Sequence, residues 1–390
     1  MSIAFHWFLP TNGDGRRLVE PATPTLGTAG GQRPATFSYL TQIVLAAESF
    51  GFEGALTPTG PWCDDAWITT AALAQRTERL KFLVAFRPGA MSPTLSAQMA
   101  ATYQFHTGGR LLLNVVTGGD SAEQNAYGDW LDKEGRYERC AEFLQIVRAL
   151  WAGERVDFEG RHLHVAGGAL GRVPDPLPGI YFGGSSPVAL DVAANHVDSY
   201  LTWGEPPAQV AEKIAAVKAK ADVVGRTLRY GIRLHVISRD TADEAWSVAN
   251  GLLEGISEEE IAKVHARMQT TESEGQRRML ELHGGSRDDL EVSPNLWAGV
   301  GLARGGAGTA LVGSHAEVAD RIAEYAALGM DEFILSGYPH LEELYWFGEG
   351  VLPILAERGV WQRPIGLAEG MRTGSIDAGG VSFGVVPDRK

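Results

Sequence analysis

Short apolar runs recur along the chain, separated by glycines and by segments in which apolar positions return every three or four residues. Eight of the runs read as buried strands: Ile3–Leu9, Phe52–Leu56, Leu80–Phe86, Leu111–Val116, Gly179–Phe182, Ser199–Trp203, Leu228–Ile237 and Glu332–Ser336. Between them, Thr36–Phe50, Asp65–Arg76, Pro93–His106, Arg136–Ala152, Pro207–Val224 and Ala316–Leu328 carry a helical period. Pro207–Val224 is the plainest, with Val210, Ile214, Val217 and Ala221 on one face and Glu212, Lys213 and Lys218 elsewhere. A further helix opens at Pro187 in YFGGSSPVAL. Gly51 and Gly329 each follow a helix and precede a strand, the place of a C-terminal cap.

Strands alternating with helices predict a parallel sheet of the α/β class, and eight such units predict a closed (β/α)8 TIM barrel. The rival, an open doubly wound sheet, carries a Gly-x-Gly-x-x-Gly loop after a strand near one end, and none follows Ile3–Leu9. Three stretches exceed a simple barrel. Gly13–Pro34 is a long Gly/Pro/Thr-rich loop, and Asp157–Gly179, with VDFEGRHLHV, reads as a β-hairpin excursion. Glu254–Val312 starts as a charged helical segment and ends in SPNLWAGVGLARGGAGTALVG. An insertion of that length is expected as a lid over a site. One barrel domain over residues 1–363 and a glycine-rich tail over 364–390 complete the reading.

Composition narrows the classes. The 390 residues hold 34 Lys+Arg against 48 Asp+Glu, a net charge of −14, which argues against a general nucleic-acid binder. No apolar run approaches the roughly 20 residues of a membrane span, and the N-terminus reads as a strand rather than a secretory signal. Two cysteines, Cys63 and Cys140, are too few for a disulfide framework. A cytoplasmic, reduced protein is the expectation.

In a (β/α)8 barrel the chemistry sits at the C-terminal ends of the strands. Those ends carry Asn12, Cys63, Arg87, Asn114, Thr117, Ser185, Ser186, Trp203, Arg233, His235 and Tyr338. The set is short of carboxylates, unlike that of a metal-dependent hydrolase. His162 and His164 fall in the hairpin and read as one exposed ribbon face. The Gly-Gly-Ser-Ser turn suits a phosphate and equally a plain N-cap at Ser186. Arg233 and His235 share a strand face. A guanidinium turned inward needs an anion, whereas one at a strand end can reach solvent along its stem. Arg304, in ARGGAG, is placed to act as a clamp, and with Arg87 these residues outline a cationic pocket for a small anion. Cys63, with no base beside it in sequence, reads as packing rather than as a nucleophile. Cys140 reads as structural. Trp203 and Tyr338 are rim aromatics or flank a planar cofactor.

The segments FHWFLPTNGDG, PTGPWCDDAW, LKFLVAFRPG, LLLNVVTGGD, YFGGSSPVAL, YLTWGEPP, YGIRLHVISR, SPNLWAGVGLARGGAGTALVG and LSGYPHLEE, in this order, resemble the flavin-dependent alkanesulfonate monooxygenases of the bacterial luciferase-like superfamily. The resemblance implies a TIM barrel to which an NAD(P)H-dependent flavin reductase supplies reduced FMN. The flavin reacts with O2, the C–S bond of an organosulfonate is cleaved, and sulfite and an aldehyde leave. It also implies FMN near Cys63, Asn114, Thr117 and Gly118, with the phosphate at Tyr137, Ser185 and Ser186. Trp203, Arg233, His235, Arg304 and Tyr338 match the sulfonate and catalytic set, with Asn12 beside them at the substrate, and a homodimer or homotetramer is usual. Asn12 stands where the family has a histidine, and Pro61-Trp62 replaces a more polar pair. An amide that donates and accepts without titrating suits a hydroxylated substrate. In this respect the chain is similar to the sulfoquinovose monooxygenases, which yield 6-oxo-glucose. The alternatives are a linear alkanesulfonate monooxygenase, a deazaflavin-dependent hydride-transfer enzyme, and a non-catalytic flavin- or sulfonate-binding protein.

Overall fold

The computed structural model describes residues 2–18 and 33–364. Most of the Gly13–Pro34 loop and nearly all of the tail lie outside the described residues. The eight barrel strands are β1 (Ala4–Phe8), β2 (Gly54–Thr57), β3 (Lys81–Phe86), β4 (Leu111–Val115), β5 (Gly179–Gly183), β6 (Ser199–Trp203), β7 (Arg229–Arg239) and β8 (Glu332–Ser336). Each pairs in parallel with the next, and β8 returns to β1, so the sheet closes on itself. The chain folds as a closed parallel (β/α)8 barrel.

Alternation along the strands separates two cores. Outward residues such as Phe5, Trp7, Phe82, Val84, Leu113, Ile180, Phe182, Ile232 and Phe333 pack under the helices in one large apolar cluster. Inward residues Phe8, Leu56, Leu83, Leu112, Tyr181, Leu201 and Ile334 form a smaller plug inside the barrel. The helices begin at side-chain caps: Thr36, Asp65, Ser92, Asp132 and Ser186 each accept an amide hydrogen of the first turn. Gly51 closes the first helix with a left-handed φ of 87°, and Gly329 turns at φ 102° after Leu328. The hairpin pairs Val156–Glu159 with His164–Gly168. Within it His162 engages Glu138 at 2.8 Å and His164 the Gly160 carbonyl at 2.9 Å.

The stretch 254–312 differs from the sequence reading in one respect. It ends in a strand, Ala310–Ser314, that pairs in parallel with the second half of β7. β7 is long because it serves the barrel from Arg229 to His235 and this added strand from His235 to Arg239. The rest of the insertion forms helices Glu258–Gln269 and Glu274–His283, two short strands at Glu291–Ser293 and Leu296–Trp297, and a short turn of helix at Val300–Ala303; the second strand pairs antiparallel with Ala310–Ser314 and the first with the second. Among the described residues no helix is long and apolar enough to cross a membrane.

Candidate active site

A cavity of about 660 Å³ opens at the C-terminal ends of the strands. Its floor is apolar, with Phe8, Leu56, Leu201 and Ile334. One wall is the turn Gly183–Ser186 with Tyr137, and another holds Asn114, Thr117 and Gly118 after β4. Asn12, Trp203, Arg233 and Arg304 also face it. Residues 271–276 and 304–307 of the insertion complete the enclosure.

The register of β7 against its neighbours explains the polar side. Arg233 lies opposite Trp203 on β6 and Ile334 on β8, and His235 lies opposite Ser336. Arg233 is buried, with its guanidinium 4.6 Å above the Phe8 ring. Its hydrogen bonds within the protein leave from Nη1, to the Leu234 carbonyl at 2.7 Å and Ser336 Oγ at 2.8 Å. Arg304 donates from Nη1 to the Tyr338 hydroxyl at 2.7 Å, and its buried Nε has no acceptor among the described residues. Among the described residues neither arginine has a carboxylate partner. Burial, and then the charge of Arg304, push Arg233 down to about 9, which leaves it cationic at neutral pH.

Arg87 does not join this pair. Its Nη2 meets Glu123 at 2.7 Å and its guanidinium lies over Tyr127, so its charge is spent inside the protein. His235 is fully enclosed, and burial with the nearby guanidiniums holds it far below the ordinary imidazole range. Both ring nitrogens are engaged, Nδ1 with Ser336 Oγ at 2.7 Å and Nε2 with the Ala307 carbonyl at 3.1 Å. Neither His235 nor Tyr338 is on the cavity wall. The Tyr338 ring stacks on His235 with centroids 5.5 Å apart, and both stand behind Arg233 and Arg304. Cys63 is also off the wall, where its neighbour Trp62 takes the place. Burial pushes the Cys63 thiol up to about 11, and Sγ contacts the Gly60 carbonyl. Cys140 is wholly buried in the helix Lys133–Trp151.

Ser186 caps the helix Pro187–His196 by accepting the Ala189 amide, so the plain capping role is real. The same turn needs glycine for close packing. A Cβ on Gly184 would meet Ala189 at 2.7 Å and the Tyr137 hydroxyl at 3.4 Å. Asn12 is held at the mouth through Asp14, whose backbone exchanges two bonds with Arg33 at 2.9 Å. The buried Asp14 carboxylate accepts from the Tyr39 hydroxyl and the His340 amide, and burial raises it to about 6.

Two features escaped the sequence reading. Lys213, placed away from the apolar face of its helix, is buried and donates to Thr202 Oγ1 at 2.9 Å and to Glu205 at 2.5 Å. Glu205 is wholly buried and also takes Arg278 from the insertion at 2.5 Å. Glu272, exposed overall, reaches Arg136 at 2.7 Å, and its carbonyl accepts from Lys133 at 2.9 Å. These contacts fasten residues 272–278 over the strand ends. Only an acidic residue two positions after β6 hinted at this, and such residues are common in loops.

Known proteins share the fold. Riboflavin lyase, solved with a modified FMN and riboflavin, superposes with a TM-score of 0.77 at 21% identity over 93% of each chain. The EDTA monooxygenase of Chelativorans sp. BNC1 gives 0.73 at 18% identity, over 93% of this chain and 96% of its own. An F420-dependent secondary alcohol dehydrogenase gives 0.66 at 16%, over 90% and 99%. These likenesses carry the fold. The sequence model described as luciferase-like monooxygenase matches residues 3–332, most of the chain. With its closed barrel and its enclosed mouth, the chain belongs to the luciferase-like monooxygenase family.

Proposed function

We propose that the chain uses reduced FMN and O2 to cleave the C–S bond of an organosulfonate, releasing sulfite and an aldehyde. Sulfoquinovose, giving 6-oxo-glucose, is the favoured substrate, and a separate NAD(P)H-dependent flavin reductase is the source of the flavin. The observation that carries this reading is the pair Arg233 and Arg304, which line one cavity and have no ion-paired carboxylate among the described residues. A buried cation left uncompensated by the protein is balanced by a ligand anion. A sulfonate is anionic at every physiological pH and offers three oxygens to guanidinium donors.

The chain's residues fit the flavin as well. Ser185, Ser186 and Tyr137 around the Gly184 turn would hold its phosphate at the start of a ten-residue helix. The apolar floor and Trp203 would take the ring system, with Asn114, Thr117 and Gly118 at its edge. Bound there, reduced FMN supplies the electrons that activate O2. Arg233 and Arg304 bind and orient the sulfonate, and Asn12 donates to and accepts from a sugar hydroxyl. Residues 271–276 and 304–307 exclude water. Tyr338 and His235 act from behind, fixing Arg304 and the loop that bears it.

The test is sulfite release. The chain, a flavin reductase, FMN, NADH and O2 are incubated with sulfoquinovose and, separately, with linear alkanesulfonates. The reading expects sulfite in step with O2 uptake, most from sulfoquinovose. Sulfite from the linear compounds alone would move the substrate to an alkanesulfonate. No sulfite from any of them would overturn the reading, and O2-independent alcohol oxidation with a deazaflavin would replace it.

A further inference from the structure

Ser336 stands between Arg233 and His235 and touches both. It is fully buried at the end of β8, in register with His235 on β7. Its Oγ lies 2.8 Å from Arg233 Nη1 and 2.7 Å from His235 Nδ1.

The protons in this chain can be assigned from the partners. The Ala307 carbonyl is only an acceptor, so His235 Nε2, 3.1 Å away, carries the ring hydrogen. His235 is neutral in this enclosure beside two guanidiniums, so Nδ1 bears no hydrogen and accepts the Ser336 hydroxyl hydrogen. The Ser336 oxygen then has lone pairs for Arg233, which can only donate. Every group has one role available. The chain runs Arg233 N–H to Ser336 O, Ser336 O–H to His235 Nδ1, and His235 Nε2–H to the Ala307 carbonyl. Ala307 follows Arg304 by three residues, and the His235 amide also donates to the Thr309 carbonyl at 2.9 Å.

We infer that Ser336 is a positioning residue: its hydroxyl fixes the His235 tautomer and the direction of Arg233, and so ties the arginine of β7 to the loop that presents Arg304. This rests on the proposed function in that both arginines are taken to share one anionic ligand. The ligand class here is a small organic anion with at least two oxygens.

Ser336→Ala removes the hydroxyl without adding volume. Nitrogen-15 spectra of the full chain, with His235 assigned by its loss in His235→Gln, report the ring directly. Wild type is expected to show hydrogen on Nε2 and a hydrogen-bonded Nδ1, and Ser336→Ala to move Nδ1 toward the position of an unbonded ring nitrogen. Methanesulfonate, titrated through tryptophan fluorescence, is expected to bind Ser336→Ala roughly tenfold more weakly, the scale of one hydrogen bond to a charged group. An Nδ1 resonance that does not move, or methanesulfonate binding as tight as in wild type, overturns the inference. Should wild type fail to bind methanesulfonate, the organosulfonate reading falls, and the Nδ1 resonance alone decides the role of Ser336.

Discussion

The two ends of the barrel bury charge in opposite ways. At the N-terminal end Glu332 is enclosed by partners: His6 Nε2 at 2.8 Å, Arg229 at 3.0 Å and the Tyr181 hydroxyl at 3.1 Å. Burial by itself would raise this carboxyl, but the His6 hydrogen bond, with Arg229 and Tyr181, holds it below the ordinary glutamate value. At the C-terminal end Arg233 and Arg304 are drawn toward one cavity and given hydroxyls and carbonyls instead of carboxylates. The apolar plug of Phe8, Leu56, Leu201 and Ile334 lies between the two ends. Charge paired within the chain serves the scaffold, and charge left over serves a ligand. The same distinction separates Arg87, matched by Glu123, from Arg233 one layer inward.

The sharpest way to break this contrast is at the mouth. Arg233→Ala and Arg304→Ala should each reduce sulfite release more than about a hundredfold. Arg233→Met should leave the thermal midpoint unchanged or raise it, since it deletes an uncompensated buried cation. Near-normal turnover in both alanine variants would remove the ligand role. At the other end Glu332→Gln should cost about 3 kcal/mol in urea denaturation, the penalty of breaking a buried ionic cluster. Activity per folded molecule should be kept. An intermediate effect is expected at Glu205→Gln, about 2 kcal/mol, since it strands Lys213 and frees Arg278. Faster hydrogen exchange over residues 271–278 would mark it as a fastening of the insertion.

The smallest effect concerns His283, which burial pushes down to about 4 from 6.5. Between those values the unfolded chain binds the proton and the folded chain does not. Stability is therefore full above pH 6.5 and falls as the pH drops toward 4, by about 1 kcal/mol for this group after solvent screening. His283→Gln should flatten that part of the stability curve. An unchanged curve would show that His283 carries none of it.

Periodicity was sufficient for the framework, because a strand buried on both sides has to be apolar along its length and a helix on one stripe. All eight barrel strands and the six helices between them lie within a few residues of their expected places. The added strand Ala310–Ser314 was not visible, because it follows a glycine-rich stretch and is short. Two-residue alternation put Arg233 and His235 on one strand face but left open whether the guanidinium turns inward or reaches solvent. Lys213 was set off the apolar face of its helix, because the carboxylate that draws it inward arrives from the end of β6.

By itself, the sequence determined the barrel and the strand ends that bear the chemistry, because these depend on repeats of two or four residues along one segment. Only the tertiary structure decided which charges are cancelled and which are left open. Glu123 reaches Arg87 from 36 residues away, Ser336 reaches Arg233 from 103, and Arg278 reaches Glu205 from 73. Hydrogen bonds and ion pairs act over a few ångströms of space, and no local pattern records which distant segment the closing barrel will bring within reach.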